Sequence, residues 1–233
     1  MFIGPFDYSI IKNAVDKKLV DIEFVNIRDF GIGKHKIVDD KPYGGGQGMI
    51  LRVDVLEKAI RKAKDLSRGS PREAGKAGKR LTAKNQMVIL LDPRGKSFNQ
   101  KKAKEFSKLE SLILVCGHYE GIDDRIEKFI DEKISVGDFI VTGGEIPAML
   151  VADAVIRLIK GSLKKQATDI ESFSPYLEYP QYTRPKVYKN YSVPDVLLSG
   201  NHKKIEAWRK STALKLTSLL RPDLLTDNKT TKD

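Results

Sequence analysis

Short apolar runs alternating with amphipathic segments predict an α/β domain with a largely parallel sheet, followed by a small, mostly helical domain. Three observations carry this. Residues 87–91 and 112–116 are compact apolar runs that end in turn residues, the pattern of buried strands. Residues 52–66 repeat their apolar positions with helical period, and residues 97–109 and 145–160 also read as helices. After Lys160 the composition changes: between Pro175 and Leu225 stand nine basic and four acidic residues and five of the eight tyrosines. The boundaries that follow are 1–160 for the α/β domain, 161–175 for a linker, 176–225 for the helical domain and 226–233 for a polar, disordered tail.

Residues 5–18 read as a helix with Ile10, Ile11, Ala14 and Val15 on one face, and residues 21–27 alternate like a strand. Residues 29–47 form a loop rich in Gly, Asp and basic side chains. Residues 52–66 turn Val53, Leu56, Ala59, Ile60 and Ala63 inward. Residues 68–84 combine Gly, Ser and Pro with many basic groups and read as an exposed, flexible loop. The strand at 87–91 ends at the turn Asp92-Pro93-Arg94-Gly95. A short helix at 122–131 and a short strand at 139–141 follow the strand at 112–116. The helix at 145–160 is apolar almost all round, with Asp153 and Arg157 as its strongly polar interior residues, so it is buried on several sides. In a small protein that points to a subunit interface, and Asp153 and Arg157 are spaced for an i,i+4 ion pair. In the last domain residues 202–220 form an amphipathic helix with Ile205, Trp208, Leu216 and Leu219 inward. Core packing is the expected fate of most of the five tyrosines there, with base stacking as the alternative.

The chain has 233 residues, enough to bury a core without disulfides, and its 42 basic against 31 acidic residues leave a net charge of +11. That excess predicts attraction to a polyanion, nucleic acid first, and composition alone leaves a merely basic surface as an equal reading. The single cysteine, Cys116, excludes an internal disulfide and fits a reducing cytoplasm; its apolar strand makes it a packing group. Three scattered histidines give no metal cluster, and no apolar stretch is long enough to span a membrane.

Two glycine-rich strings stand out, PYGGGQGM at 42–49 and SVGDFIVTGGE at 135–145, with LILVCGHYEGIDDR at 112–125 between them. Neither has dinucleotide or phosphate-loop spacing. Read alone, their glycines need only shape tight turns, and a ligand pocket made from main chain is the second reading. Glu120 could face a ligand or metal, but as a carboxylate ahead of a helix it reads first as a cap, a role Asp123 could share.

Taken together, VDDKPYGGG, LVCGHYEGID, SVGDFIVTGGEIPAM, ESF, YTRP, LLSGNH and RPDLL resemble, in order and spacing, the bacterial tRNA (guanine-N1)-methyltransferases of the TrmD type, over nearly the whole chain. The resemblance implies a SPOUT-type parallel sheet with a C-terminal trefoil knot. It implies methylation of N1 of guanosine 37 in tRNA with S-adenosylmethionine, by a homodimer whose active site lies at the interface. Mg²⁺, associated with the tRNA or the site, completes the expected requirements. The cofactor pocket would comprise Leu90, Leu91, Pro93, Gly117, Tyr119, Glu120 and Gly121, then Ser135, Val136, Gly137, Asp138, Phe139, Ile140, Val141, Gly143 and Gly144. The family's arginine that reaches the target guanine falls on Arg157. Its general base, an aspartate in a D-S-F string from the partner subunit, falls on Glu171 of Glu171-Ser172-Phe173; a slipped register would put Asp169 there instead. The family also begins with a strand leading into a string like L-F-P-E-M-F. Here that string is reduced to Met1-Phe2, so that strand is expected to be absent.

Overall fold

The structure is a computed structural model and describes Phe2 and residues 4–67, 85–118, 120–163 and 171–227. The expected basic loop at 68–84 lies outside these residues. The chain divides into two compact units, Met1–Leu163 and Lys164–Asp233.

The first unit is built on a three-stranded parallel sheet. Its strands are β3 (Gln86–Ser97), β4 (Ser111–Cys116) and β5 (Glu132–Ser135), in the order β4-β3-β5. Alternation along β3 sets the layers. Val88 and Leu90 face one side, where α2 (Val53–Ser67) covers them with Val55, Leu56 and Ile60. Ile89 and Leu91 face the other, against Ala103 and Phe106 of α3 (Gln100–Phe106) and Ala148, Val151 and Val155 of α4 (Glu145–Ile156). Asn99 starts α3 by accepting the Lys102 N–H on its side chain at 3.0 Å. A smaller cluster of Ile11, Ala14 and Ile156 seats α1 (Ser9–Asp16).

Several elements differ from expectation. The first helix is shorter than 5–18, and Val15 on its expected inner face is 37% exposed. Residues 21–26 run without a ladder partner among the described residues, and a 3₁₀ turn follows at Ile27–Phe30. An alternating segment becomes a strand only where another strand offers hydrogen bonds. Here Phe24 instead stacks on Phe2, with ring centroids 4.9 Å apart. The expected strand at 139–141 is an exposed loop, with Ile140 at 83% exposure. The third strand is β5, which starts seven residues before that expected strand; there Glu132 and Lys133 pair with Lys102 and Glu127 while Ile134 enters the core. The helix expected at 122–131 is a 3₁₀ turn, Asp124–Lys128, and Asp123 caps it by accepting the Arg125 N–H at 3.0 Å.

The Asp92–Gly95 turn proves to be an excursion within β3: Leu91 and Lys96 both register with Ile134. Gly95 makes this possible, since a β-carbon there would stand 2.4 Å from the Ile134 nitrogen. The glycine string at 42–49 joins β1 (Asp39–Asp40) to β2 (Ile50–Leu51), an antiparallel ribbon.

The second unit contains a hairpin, β6 (Val187–Tyr188) and β7 (Tyr191–Ser192), and the helices α5 (Asp195–Leu198), α6 (His202–Leu220) and α7 (Asp223–Asp227). Asn201 caps α6 through Lys204 N–H at 3.1 Å. Thr217, fully buried, accepts the Leu177 N–H at 2.9 Å and ties the incoming chain to α6. Leu219, read as inward, is 73% exposed, because the second unit's packing ends one turn earlier on that face. Thr226 and Asp227 belong to α7, and the remainder of the expected tail lies outside the described residues.

Candidate functional site

The excursion within β3 and the carboxyl ends of β4 and β5 open into one cleft of about 550 Å³, at the edge of the sheet where parallel strands bind ligands. Three bends form it: Leu91 to Arg94 after the first part of β3, Gly117 to Ile122 after β4, and Val136 to Gly144 after β5. Of the residues expected in a cofactor pocket, Leu91, Pro93, Gly117, Glu120 and Gly121 line it. So do Ser135, Val136, Gly137, Phe139, Ile140, Val141, Gly143 and Gly144. Leu90 does not: its neighbour Leu91 faces the cleft, so Leu90 points to the opposite side and is buried against α2. Asp138 is exposed beside the cleft and Tyr119 lies outside the described residues.

Main chain holds the bends together. The Gly144 N–H donates to the Gly117 carbonyl at 2.8 Å. A β-carbon on Gly144 would meet the Cys116 Cα at 2.7 Å, so the approach of the two strands' exits requires glycine there. The first glycine string reaches the same place. The Glu120 N–H donates to the Met49 carbonyl at 3.2 Å and the Leu51 N–H to the Gly121 carbonyl at 3.0 Å. Gly48, at φ +81°, leaves the space that the Glu120 side chain fills. Glu120 therefore faces the cleft, and the helix cap is Asp123.

Two side-chain groups that sequence reasoning passed over shape the cleft. His118 Nε2 lies 2.6 Å from Glu145 Oε1, linking the second bend to the start of α4. The other carboxylate oxygen, Glu145 Oε2, is buried without a hydrogen-bond partner among the described residues. At the mouth, Arg94 pairs with Asp92 at 2.9 Å and with Asp124 at 3.3 Å. Burial alone would raise the Asp92 carboxyl, but the guanidinium and backbone donors of Arg94 hold it below the usual value. Only contact between strand ends reveals the His118–Glu145 and Arg94–Asp124 pairs, since each joins residues from separate segments. Burial, and then the nearby Glu145 charge, push the Cys116 thiol up to about 12, so it stays protonated and serves as packing.

Arg157 follows the last turn of α4 in the first unit, where its N–H donates to the Asp153 carbonyl at 3.1 Å. Glu171 is half-buried in the second unit, at the start of a tight turn. In that turn Phe173, at φ +70°, donates its N–H to the Tyr176 carbonyl at 2.8 Å, and Ser172 Oγ accepts the Glu178 N–H at 3.0 Å. Asp169, the other candidate base, lies outside the described residues. No group of three or more His, Cys, Asp or Glu able to hold a metal occurs among the described residues.

A parallel sheet whose strand ends carry a cleft walled by peptide groups and glycines defines an α/β protein with a cleft at the position where such sheets receive small ligands. The family described as tRNA (Guanine-1)-methyltransferase TrmD matches residues 1–227, and the chain belongs to that family. A tRNA (guanine-N(1)-)-methyltransferase of Dictyoglomus turgidum is 48% identical over 235 residues, covering 100% of this chain and 89% of the relative. One of Caldanaerobacter subterraneus is 50% identical over 227 residues, covering 97% and 87%. One of Mycoplasmopsis agalactiae is 44% identical over 227 residues, covering 96% and 92%.

Proposed function

We propose that this protein transfers a methyl group from S-adenosylmethionine to N1 of a guanine in tRNA, guanosine 37, and that it does so as a homodimer. The observation that carries the reading is the peptide-walled cleft at the β3 excursion and the ends of β4 and β5, in a chain that matches the family over residues 1–227. The cleft fits the cofactor. Its glycines leave peptide N–H and C=O groups bare to meet the edges of an adenine, and Gly137 and Gly144 have no room for a side chain. Leu91, Val136, Val141 and Pro147 supply apolar walls. The cofactor, when bound, supplies a methyl group made electrophilic by its sulfonium.

The protein's part is to make a poor nucleophile competent. N1 of guanine carries a hydrogen at neutral pH, so attack requires a base. We assign that role to the Glu171 carboxylate, with Asp169 as the alternative in the same segment. Arg157 stabilises the charge that builds on the guanine O6 as N1 loses its proton. As the family resemblance implies, the reading brings the base from the partner subunit. The exposed apolar residues Ile146 and Leu150, one turn apart on α4, support such a partner. We read the three bends as the loops of a trefoil knot. Mg²⁺ enters this reading as a counter-ion of the RNA.

Mass spectrometry of a guanosine-37 tRNA transcript after incubation with protein and S-adenosylmethionine tests the reaction; the expected product carries one methyl group at N1 of that base. Glu171→Gln is expected to cut turnover by roughly 10²-fold or more while leaving calorimetric affinity for the cofactor unchanged. Near-normal turnover in that variant would remove Glu171 as the base.

A further inference from the structure

The segment 181–192, QYTRPKVYKNYS, is exposed at every residue, and it contains three basic and no acidic side chains. Its second half is the β6–β7 hairpin, in which Tyr188 stands directly opposite Tyr191 and the Val193 N–H returns to the Lys186 carbonyl at 3.0 Å. Opposed residues of an antiparallel pair project from one face. That face therefore presents two tyrosines, 63% and 78% exposed, side by side. The Lys189 ammonium sits 5.6 Å from the Tyr188 ring centroid. Among the described residues neither Arg184, Lys186 nor Lys189 forms an ion pair with a carboxylate. The expectation that these tyrosines pack in a core is thus corrected: the hairpin has no core of its own, and a two-stranded ribbon gains little by leaving aromatic rings in water.

We propose that this hairpin is an RNA-contact surface on which unpaired bases of the tRNA stack against Tyr188 and Tyr191, while Arg184, Lys186 and Lys189 meet the flanking phosphates. The proposal rests on tRNA being the substrate and adds where the second unit touches it. Charge complementarity selects the occupant: cations without carboxylate partners, interleaved with flat aromatic faces, match a single-stranded polyanion carrying bases. An apolar protein partner would leave the three cations desolvated and unmatched.

The test uses the full-length protein and a fluorescein-labelled tRNA transcript, with binding read by anisotropy. The Tyr188→Ala/Tyr191→Ala double variant is expected to raise Kd by roughly tenfold per tyrosine. Tyr188→Phe/Tyr191→Phe keeps the rings and is expected to stay within about threefold of the parent chain. Calorimetric affinity for S-adenosylmethionine, read out in the first unit, should be the same in all three. An unchanged Kd in the alanine variant overturns the proposal while leaving the methyltransferase reading intact. An equal loss in the phenylalanine variant overturns stacking. A change in sedimenting mass with unchanged Kd would reassign the hairpin to self-contact. A parent chain that binds S-adenosylmethionine but no tRNA would defeat the substrate reading itself.

Discussion

Gly144 shows how much a single missing side chain decides. Alanine there would drive its β-carbon onto the backbone of Cys116 and Gly117, at 2.7 and 2.8 Å, so the strand exits must part. A displacement of about 1 Å in such a site can cost roughly 10²-fold, and Gly144→Ala is expected to weaken S-adenosylmethionine by at least about tenfold in calorimetry. An affinity within twofold of the parent would show that the bends are not what holds the cofactor. Gly121 offers a contrast at the same scale. A β-carbon there meets nothing within 4 Å, and its requirement is a φ of +134°, so Gly121→Ala acts by backbone strain alone.

At the scale of elements, the paired charges on β5 explain both the stability of that strand and why it was hard to foresee. Glu132 and Lys133 break the apolar pattern that marks β3 and β4, so the segment does not look like a strand. In the fold Glu132 is tied to Lys102 of α3 at 2.8 Å, and only 11% of its side chain is exposed. Residues 139–141, one aromatic and two β-branched, carry the sequence signal of a strand but face the cleft, where they have no ladder to join. The buried strands β3 and β4 and the helix α2 were legible because burial and period agree along them. The cleft's glycines were legible as turns; that three turns meet was not, because convergence is a property of strand order. Burial would raise the Glu132 carboxyl, yet the ammonium groups of Lys102 and Lys96 hold it below its ordinary value. A carboxyl depressed in the folded state stabilises above its unfolded pKa, and that contribution is lost as pH falls through the folded one. Glu132→Gln should therefore lower unfolding free energy at pH 7 by about 1–2 kcal/mol, with the deficit shrinking below about pH 4. Denaturant titrations of both chains in steps from pH 7 downward check this; a deficit that does not shrink on acidification would mean that packing, not charge, is what the substitution removes.

For the molecule as a whole, charge and the bare face of α4 govern what it meets. The net charge of +11 is carried on a protein with no helix, among its described residues, long and apolar enough to cross a membrane. Its excess cations are best matched by phosphates, and each phosphate neutralised releases condensed counterions. The affinity for tRNA should therefore fall steeply, with log K declining linearly in log salt by a slope near the number of contacts made. Lys189→Ala should reduce that slope by about one. The α4 face makes a separate demand. Ile146 and Leu150 are 50% and 47% exposed on a helix whose other side is core. If a second copy covers them, a charge placed there must be desolvated without a partner. Ile146→Glu/Leu150→Glu is expected to sediment as a monomer and to lose methyl transfer if, as proposed, the base comes from the other subunit. Its first-unit cleft should still bind S-adenosylmethionine measurably, since the lining residues named above all belong to the first unit. A double variant that sediments as the parent does, or a monomer that still methylates, would disconnect this face from catalysis.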